Sequence, residues 1–226
     1  MSFRDRRDAG QQLAIRLASY RPEHPVILAL PRGGVPVAAE VAKALEAPLD
    51  LILVRKLGVP WQPELAMGAV VDGGAPLVVR NESVVRLAGI SDRQFAAVCD
   101  EELAEIERRR KIYLGDRARI EIAGRTVIIV DDGIATGATT RAALRATRMR
   151  NPKKLVLAVP VGPAAIVREM RDEADTVICL EEQEYFGAIS LYYSDFRQVD
   201  DNEVIELLAR SAQDSFTSAK SLSADA

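Results

Sequence analysis

The densest chemistry in the chain lies at residues 127–140, VIIVDDGIATGATT. An apolar run ends in two adjacent carboxylates, Asp131 and Asp132. Two residues later comes Ala135-Thr136-Gly137-Ala138-Thr139, just before a stretch of helical spacing. The first amides of a helix have no intrahelical acceptor, so several N–H groups and two threonine hydroxyls can converge there on a phosphate dianion. Gly137 lets the backbone come close to it. Carboxylates repel phosphate, so Asp131 and Asp132 must serve something beside it, either sugar hydroxyls or a metal-bound ligand. Together the two halves read as a grip for a ribose 5-phosphate. An ordinary strand-turn-helix elbow with an acidic cap accounts for one aspartate and leaves the T-G-A-T unexplained.

Two further segments carry cations suited to the same ligand. A strand-like run at 25–30 leads into Pro31-Arg32-Gly33-Gly34 and then helical spacing at 37–45, so a fixed charge and two permissive residues sit between strand and helix. After another strand-like run at 48–54, residues 55–66 contain two prolines, one glycine and no period. This reads as a loop of about ten residues opening on Arg55 and Lys56. Its tryptophan, Trp61, is open to three readings: a lid anchor, a subunit contact or plain packing.

The order of apolar run, Asp131-Asp132, two residues and A-T-G-A-T resembles the motif of the type I phosphoribosyltransferases that binds 5-phosphoribosyl 1-pyrophosphate (PRPP). The resemblance implies that Asp131 and Asp132 hold the ribose hydroxyls and that Ala135, Thr136, Gly137, Ala138 and Thr139 cradle the 5′-phosphate. Arg32, Gly33 and Gly34 resemble the family's pyrophosphate loop, which carries a cis peptide aligned with Pro31–Arg32. The 55–66 stretch takes the place of its closing loop, making Arg55 and Lys56, with Arg32, the candidates to stabilise the departing pyrophosphate. Mg²⁺ is the implied cofactor, held through PRPP with Asp131 and Asp132 as candidate ligands. The implied reaction transfers ribose 5-phosphate to a nitrogen nucleophile, a nucleobase in this reading. Two departures bear on the acceptor. Family members that use 6-oxopurines have an aspartate where this chain has Ala135, and a lysine near the end of the next strand, where Val159-Pro160-Val161-Gly162-Pro163 has none. The other functional reading is a regulator that binds PRPP or a nucleotide without catalysis.

The elements needed to position these residues are legible from periodicity. Apolar runs at 25–30, 48–54, 127–130, 154–161 and 175–182 alternate with helical patterns, which predicts an α/β fold with a twisted, mainly parallel sheet and a ligand crevice beyond the strand C-termini. One domain over 1–212 is expected, with a hairpin turning at Gly73-Gly74, a helical insertion at about 81–115 capped at Ser91, and a disordered tail at 213–226. Residues 183–200 hold Tyr185, Phe186, Tyr192, Tyr193 and Phe196, five of the chain's eleven aromatic residues. They read either as a hood over the acceptor, with Phe186, Tyr192 and Tyr193 as its platform, or as a small satellite core. The formal charge of −3 and pI near 5.4 disfavour a nucleic-acid partner. Cys99 and Cys179 fit buried thiols, and His24 a solvent-facing turn. The absence of a membrane-length apolar run or signal core points to a cytoplasmic protein, and a homodimer is expected.

Overall fold

The computed structural model describes residues 2–72 and 77–224, with side chains described through Gln213. Asp5 caps α1 (Arg6–Leu17) by accepting the Asp8 amide, so this helix starts two residues ahead of the 8–20 pattern and brings Arg6 into its first turn. β1 (Val26–Ala29) follows, then α2 (Gly34–Leu45) and β2 (Leu49–Leu51). Between helix and strand, His24 is an exposed residue of positive φ whose carbonyl accepts a hydrogen bond from Arg125.

The next segment differs from the sequence expectation. Residues 55–66 do not form a loop: β3 (Val54–Val59) and β4 (Gln62–Val71) pair as antiparallel strands, and β5 (Leu77–Arg80) adds to the other side of β4. Arg55 and Lys56 are strand residues. Two register shifts, at Leu57/Gly58 and Gly58/Val59, destroy the two-residue period that would have revealed the strand. Gly58 lies against the Pro63 backbone, where a Cβ would come within 2.6 Å of the Pro63 carbonyl oxygen. Pro63 sits in the irregular stretch between the paired residues Gln62 and Ala66, where its missing N–H removes no regular ladder bond. The hairpin between β4 and β5 agrees with expectation, although its Gly73-Gly74 turn lies outside the described residues.

Asn81 and Ser91 cap α3 (Glu82–Leu87) and α4 (Asp92–Leu114), the latter with a full Ser91–Gln94 capping box. The chain then runs through β6 (Thr126–Val130), α5 (Ala138–Met149), β7 (Lys154–Pro163), α6 (Ala164–Met170), β8 (Thr176–Gln183) and α7 (Asp201–Ala224). α7 differs from expectation in continuing as one helix beyond residue 213. No Gly or Pro interrupts it, and extending an existing helix carries no nucleation cost.

The five-stranded sheet is parallel in the order β2-β1-β6-β7-β8. Successive side chains point to opposite faces, and both faces are covered. Ile27, Ala29, Ile128 and Val130 join a core with α1, α2, α4 and α7, while Val26, Leu28, Val127 and Ile129 join another with α5. This two-sided burial explains why the strands read as unbroken apolar runs. From β1 the chain crosses outward to β2; from β6 it crosses the other way to β7. Between β1 and β6 the winding reverses, and the C-terminal ends of these paired strands open a crevice. No helix among the described residues is long and apolar enough to cross a membrane. Cys99 is buried and Cys179 partly so, both as free thiols.

Candidate functional site

Register assembles the site. Ala29 pairs with Val130, so the Arg32 segment and the Asp131-Asp132 pair leave adjacent strands side by side. The contact is close. A Cβ on Gly33 would lie 2.1 Å from Asp132 Oδ2, and one on Gly34 would lie 2.9 Å from the Asp131 Cα. These glycines are therefore required by the acids as well as by any ligand. The Gly34 amide is not aimed at a ligand, because it donates to the Leu30 carbonyl at 3.0 Å. The Pro31–Arg32 peptide is cis, at the position implied by the family resemblance.

An open cleft of about 550 Å³ lies over this junction. Pro31, Arg32 and Gly33 form one wall, Asp131, Asp132 and Thr139 another, and Phe196, Gln198 and Val199 a third, with Arg6 also lining it. Asp132 is buried and held from three directions. Its Oδ2 accepts from Arg6 Nε at 2.7 Å, its carbonyl accepts from the Tyr193 hydroxyl at 2.6 Å, and its own amide donates to Asp131 Oδ1 at 2.8 Å. Burial of the Asp131 carboxyl and the neighbouring Asp132 charge hold Asp131 well above the usual carboxylate range.

The loop between β6 and α5 follows the acids, and Thr139, in the first turn of α5, lines the cleft. Gly137 has φ +74°, and a Cβ there would meet Ile166 and Met170 at 2.9 Å, so both conformation and space demand glycine. Ala135, Thr136, Ala138 and Thr139 are exposed, and α5 begins at Ala138 with no side-chain cap. α2, which also starts at the cleft, likewise lacks one, as does α6; α1, α3 and α4 are capped by Asp5, Asn81 and Ser91. The amides of the first turn of α5 are thus left for an anion.

Arg32 stands at the cleft, with Nη1 3.5 Å from Asp201 Oδ1 at the start of α7. Asp201 also accepts the Tyr113 hydroxyl at 2.7 Å, which holds the Asp201 carboxyl below its ordinary value. Burial and that hydrogen bond push the Tyr113 phenol up to about 12. Arg55 and Lys56 are not brought into the cleft: Arg55 Nε pairs with Glu102 of α4 at 2.5 Å and Lys56 Nζ with Glu64 at 3.3 Å. Their strand geometry directs them to acids on neighbouring elements. Trp61 is exposed in the turn between β3 and β4.

The aromatic segment takes the second of its two expected forms, a small satellite core, and not the platform of Phe186, Tyr192 and Tyr193. Tyr193 is buried between Phe3 and Phe196, with ring centroids 5.3 and 5.0 Å away, while Phe186 and Tyr192 stack on each other at 5.5 Å. Phe196 is the aromatic residue that lines the cleft. Tyr193 supports the site from beneath. Tyr193→Phe should cost about 1–3 kcal/mol in denaturant unfolding by stripping the Asp132 carbonyl of its buried donor. Arg6, Gln198 and Asp201 escaped the sequence reading, and Phe196 entered it only as one member of the aromatic cluster. Arg6 lies 126 residues from its partner, and the only local signal near it is the Asp5 cap.

Mg²⁺ takes oxygen donors and commonly keeps several waters. No three His, Cys, Asp or Glu among the described residues are grouped as a protein cage would need. The adjacent carboxylates at the cleft, one already paired with Arg6, fit an ion carried mainly by ligand and water oxygens.

A parallel α/β sheet with a glycine-bearing strand-to-helix loop and paired acids at its switch point belongs to the class of α/β folds whose ligands bind beyond the strand ends. The family model of the phosphoribosyl transferase domain matches residues 7–197, and the chain belongs to that family. It is 48% identical over 212 residues to Mycobacterium tuberculosis proteins of strains CDC 1551 and H37Rv, each provisionally named a phosphoribosyl transferase. That match covers 94% of this chain and 47% of each relative, so the chain spans about half their length. Among solved structures it resembles TT1426 from Thermus thermophilus, with TM-score 0.75 and 41% identity over 92% of this chain and 98% of that one.

Proposed function

We propose that the cleft binds PRPP with Mg²⁺ and that the protein transfers ribose 5-phosphate to a nitrogen nucleophile. The observation that carries this reading is the packing of Gly33 directly on Asp132, which puts a cationic segment and the paired acids on one short stretch of cleft, with the uncapped start of α5 beyond them. A ligand with pyrophosphate, ribose and 5′-phosphate in series matches that order. In this assignment Arg32 takes the pyrophosphate, Asp131 and Asp132 the ribose hydroxyls, and Ala135, Thr136, Gly137, Ala138 and Thr139 the 5′-phosphate. Arg55 and Lys56 lie outside the cleft lining, each paired with an acid on a neighbouring element, and are left out of this assignment.

In the transfer, the bond from the anomeric carbon to the pyrophosphate oxygen breaks and a bond to nitrogen forms. The nitrogen's proton leaves to solvent or to a base, and pyrophosphate departs with the electron pair. Positive charge grows on the sugar as negative charge grows on the leaving group. Arg32 stabilises the latter, and the carboxylates beside the ring the former. Bound Mg²⁺ would supply further neutralisation of pyrophosphate, with Asp131 and Asp132 as its protein ligands. Ala135 offers no proton acceptor, which directs the reading to acceptors other than 6-oxopurines.

Calorimetry tests the site. PRPP should bind with measurable heat in the presence of Mg²⁺, weaken when the metal is chelated, and fail to bind the Asp131→Asn/Asp132→Asn variant. No heat with PRPP, or undiminished heat for that variant, would remove the assignment. Pyrophosphate release measured over a panel of nucleobases then separates transferase from sensor: failure with purines and pyrimidines alike favours a PRPP-binding regulator.

A further inference from the structure

Asp132 shares its cleft with a cation that no chemical motif in the sequence marks. Arg6, in the first turn of α1, places Nε 2.7 Å from Asp132 Oδ2 and donates from Nη1 to the Arg197 carbonyl at 2.8 Å, and its guanidinium carbon lies 3.8 Å over the Phe196 ring. Both charged side chains are about nine-tenths buried. We propose that Arg6 is a positioning residue: it fixes the Asp132 carboxylate for the ribose hydroxyls and ties that acid to the Phe196–Val199 wall. This inference rests on the reading of the cleft as a PRPP site.

The opposite reading, that Arg6 is a plug which ribose must displace, fails on geometry. Moving the guanidinium would strand the buried Asp132 charge, leave the Arg197 carbonyl without its donor and uncover the face of Phe196. A group with three anchors is a support. With Oδ2 held by Arg6 and the carbonyl held by Tyr193, the carboxylate has one orientation and Oδ1 remains for a ligand. Preorganisation of this kind fixes a binding group before the ligand arrives.

The same guanidinium reaches another part of the cleft lining. Phe196, Gln198 and Val199 line the cleft with the acids, and Arg6 grips that segment by the Phe196 ring and the Arg197 backbone. Lysine cannot replace it, because Nε and Nη1 serve two different acceptors and an ammonium is a single point charge.

The test compares PRPP titrated with Mg²⁺ and inorganic pyrophosphate titrated without it, both calorimetrically, into wild type, Arg6→Ala and Arg6→Lys. Loss of Arg6 should weaken PRPP binding about 10- to 100-fold, the range for a lost orienting partner. Without the metal that Asp131 and Asp132 would hold, pyrophosphate depends on Arg32 and not on the ribose acids, so its affinity should stay at the wild-type level. Arg6→Lys should fall between wild type and Arg6→Ala. Equal or tighter PRPP binding by Arg6→Ala, or a parallel loss of both ligands, would overturn the proposal. If Arg6→Ala does not fold, Arg6→Lys decides alone, and unchanged PRPP affinity there overturns it. A wild-type protein that ignores PRPP would instead remove the reading of the cleft; a wild type that binds it, beside an indifferent Arg6→Ala, removes only the role of Arg6.

Discussion

A Gly33→Ala protein should bind PRPP at least about tenfold more weakly than wild type in the same calorimetric titration, a loss of about 1.4 kcal/mol or more. Two effects oppose each other at this position. Gly33 has φ −59° and ψ −35°, a conformation alanine adopts freely, so on backbone grounds alone the change would stabilise the fold by about 0.4–1 kcal/mol. Contact decides otherwise. The new methyl carbon would lie 2.1 Å from Asp132 Oδ2 and 2.6 Å from its Cγ, far inside any permitted separation. Asp132 cannot yield cheaply, because Arg6 and Tyr193 hold it. Overpacking of this kind costs about 1–3 kcal/mol, which exceeds the backbone gain. Whichever partner moves, the Arg32 segment or the acid, the cleft loses its geometry. Gly89→Ala is the control: its φ is positive, +64°, but nothing lies within 4 Å of the added carbon, so it should lose about 1–2 kcal/mol of stability and no PRPP affinity.

What could be read in advance follows the range over which each signal acts. The Asp131-Asp132 pair and the loop from Ala135 to Thr139 are local chemistry, with type and spacing all within fourteen residues, and of these the two acids and Thr139 line the cleft. The five-stranded sheet was legible because burial on both faces makes runs such as Val127-Ile128-Ile129-Val130 apolar without interruption. β3 was hidden by its register shifts, which scramble the alternation that marks a strand, and with it went the placement of Arg55 and Lys56. The aromatic density at 183–200 was visible, but which ring faces the cleft depends on Phe3 lying across Tyr193, a contact between the two ends of the domain. Arg6 was invisible for the same reason: its meaning arises only when α1 meets the end of β6. Charge chemistry spread over long separations leaves no periodic trace.

The largest stability effect should come from outside the cleft, at the base of α4. Arg110→Ala should destabilise the protein by about 3–5 kcal/mol in urea or thermal unfolding, the usual cost of stranding one member of a buried ion pair. Arg110 and Asp72 are 7% and 3% exposed, with Nη1 3.0 Å from Asp72 Oδ2, while Nη2 lies 3.5 Å from Asp50 Oδ1. Asp50 survives the loss better, because the Leu51 and Ile120 amides donate to it at 2.8 and 3.0 Å. Asp72 keeps only Arg119, at 3.3 Å and more exposed, among its charged partners, which puts the expected cost toward the lower end of the range. The sign with pH is fixed by the direction of the Asp72 shift. Burial holds its carboxyl above the ordinary value against the pull of Arg110 and Arg119, so the folded protein binds that proton more tightly than the unfolded chain. Removing Arg110 raises it further. The Arg110→Ala deficit should therefore be largest near neutrality and shrink as pH falls toward the unfolded carboxylate value of about 4, because Asp72 can then be buried neutral. Asp72→Asn added to Arg110→Ala should cost less than the sum of the single changes, and strict additivity would show that the two charges do not interact. The consequence reaches the cleft: α4 also carries Tyr113, which holds Asp201, and Asp201 in turn faces Arg32. A loosened α4 should thus lower pyrophosphate affinity as well as stability, linking the buried charge of Arg110 to the cation proposed to receive the leaving group.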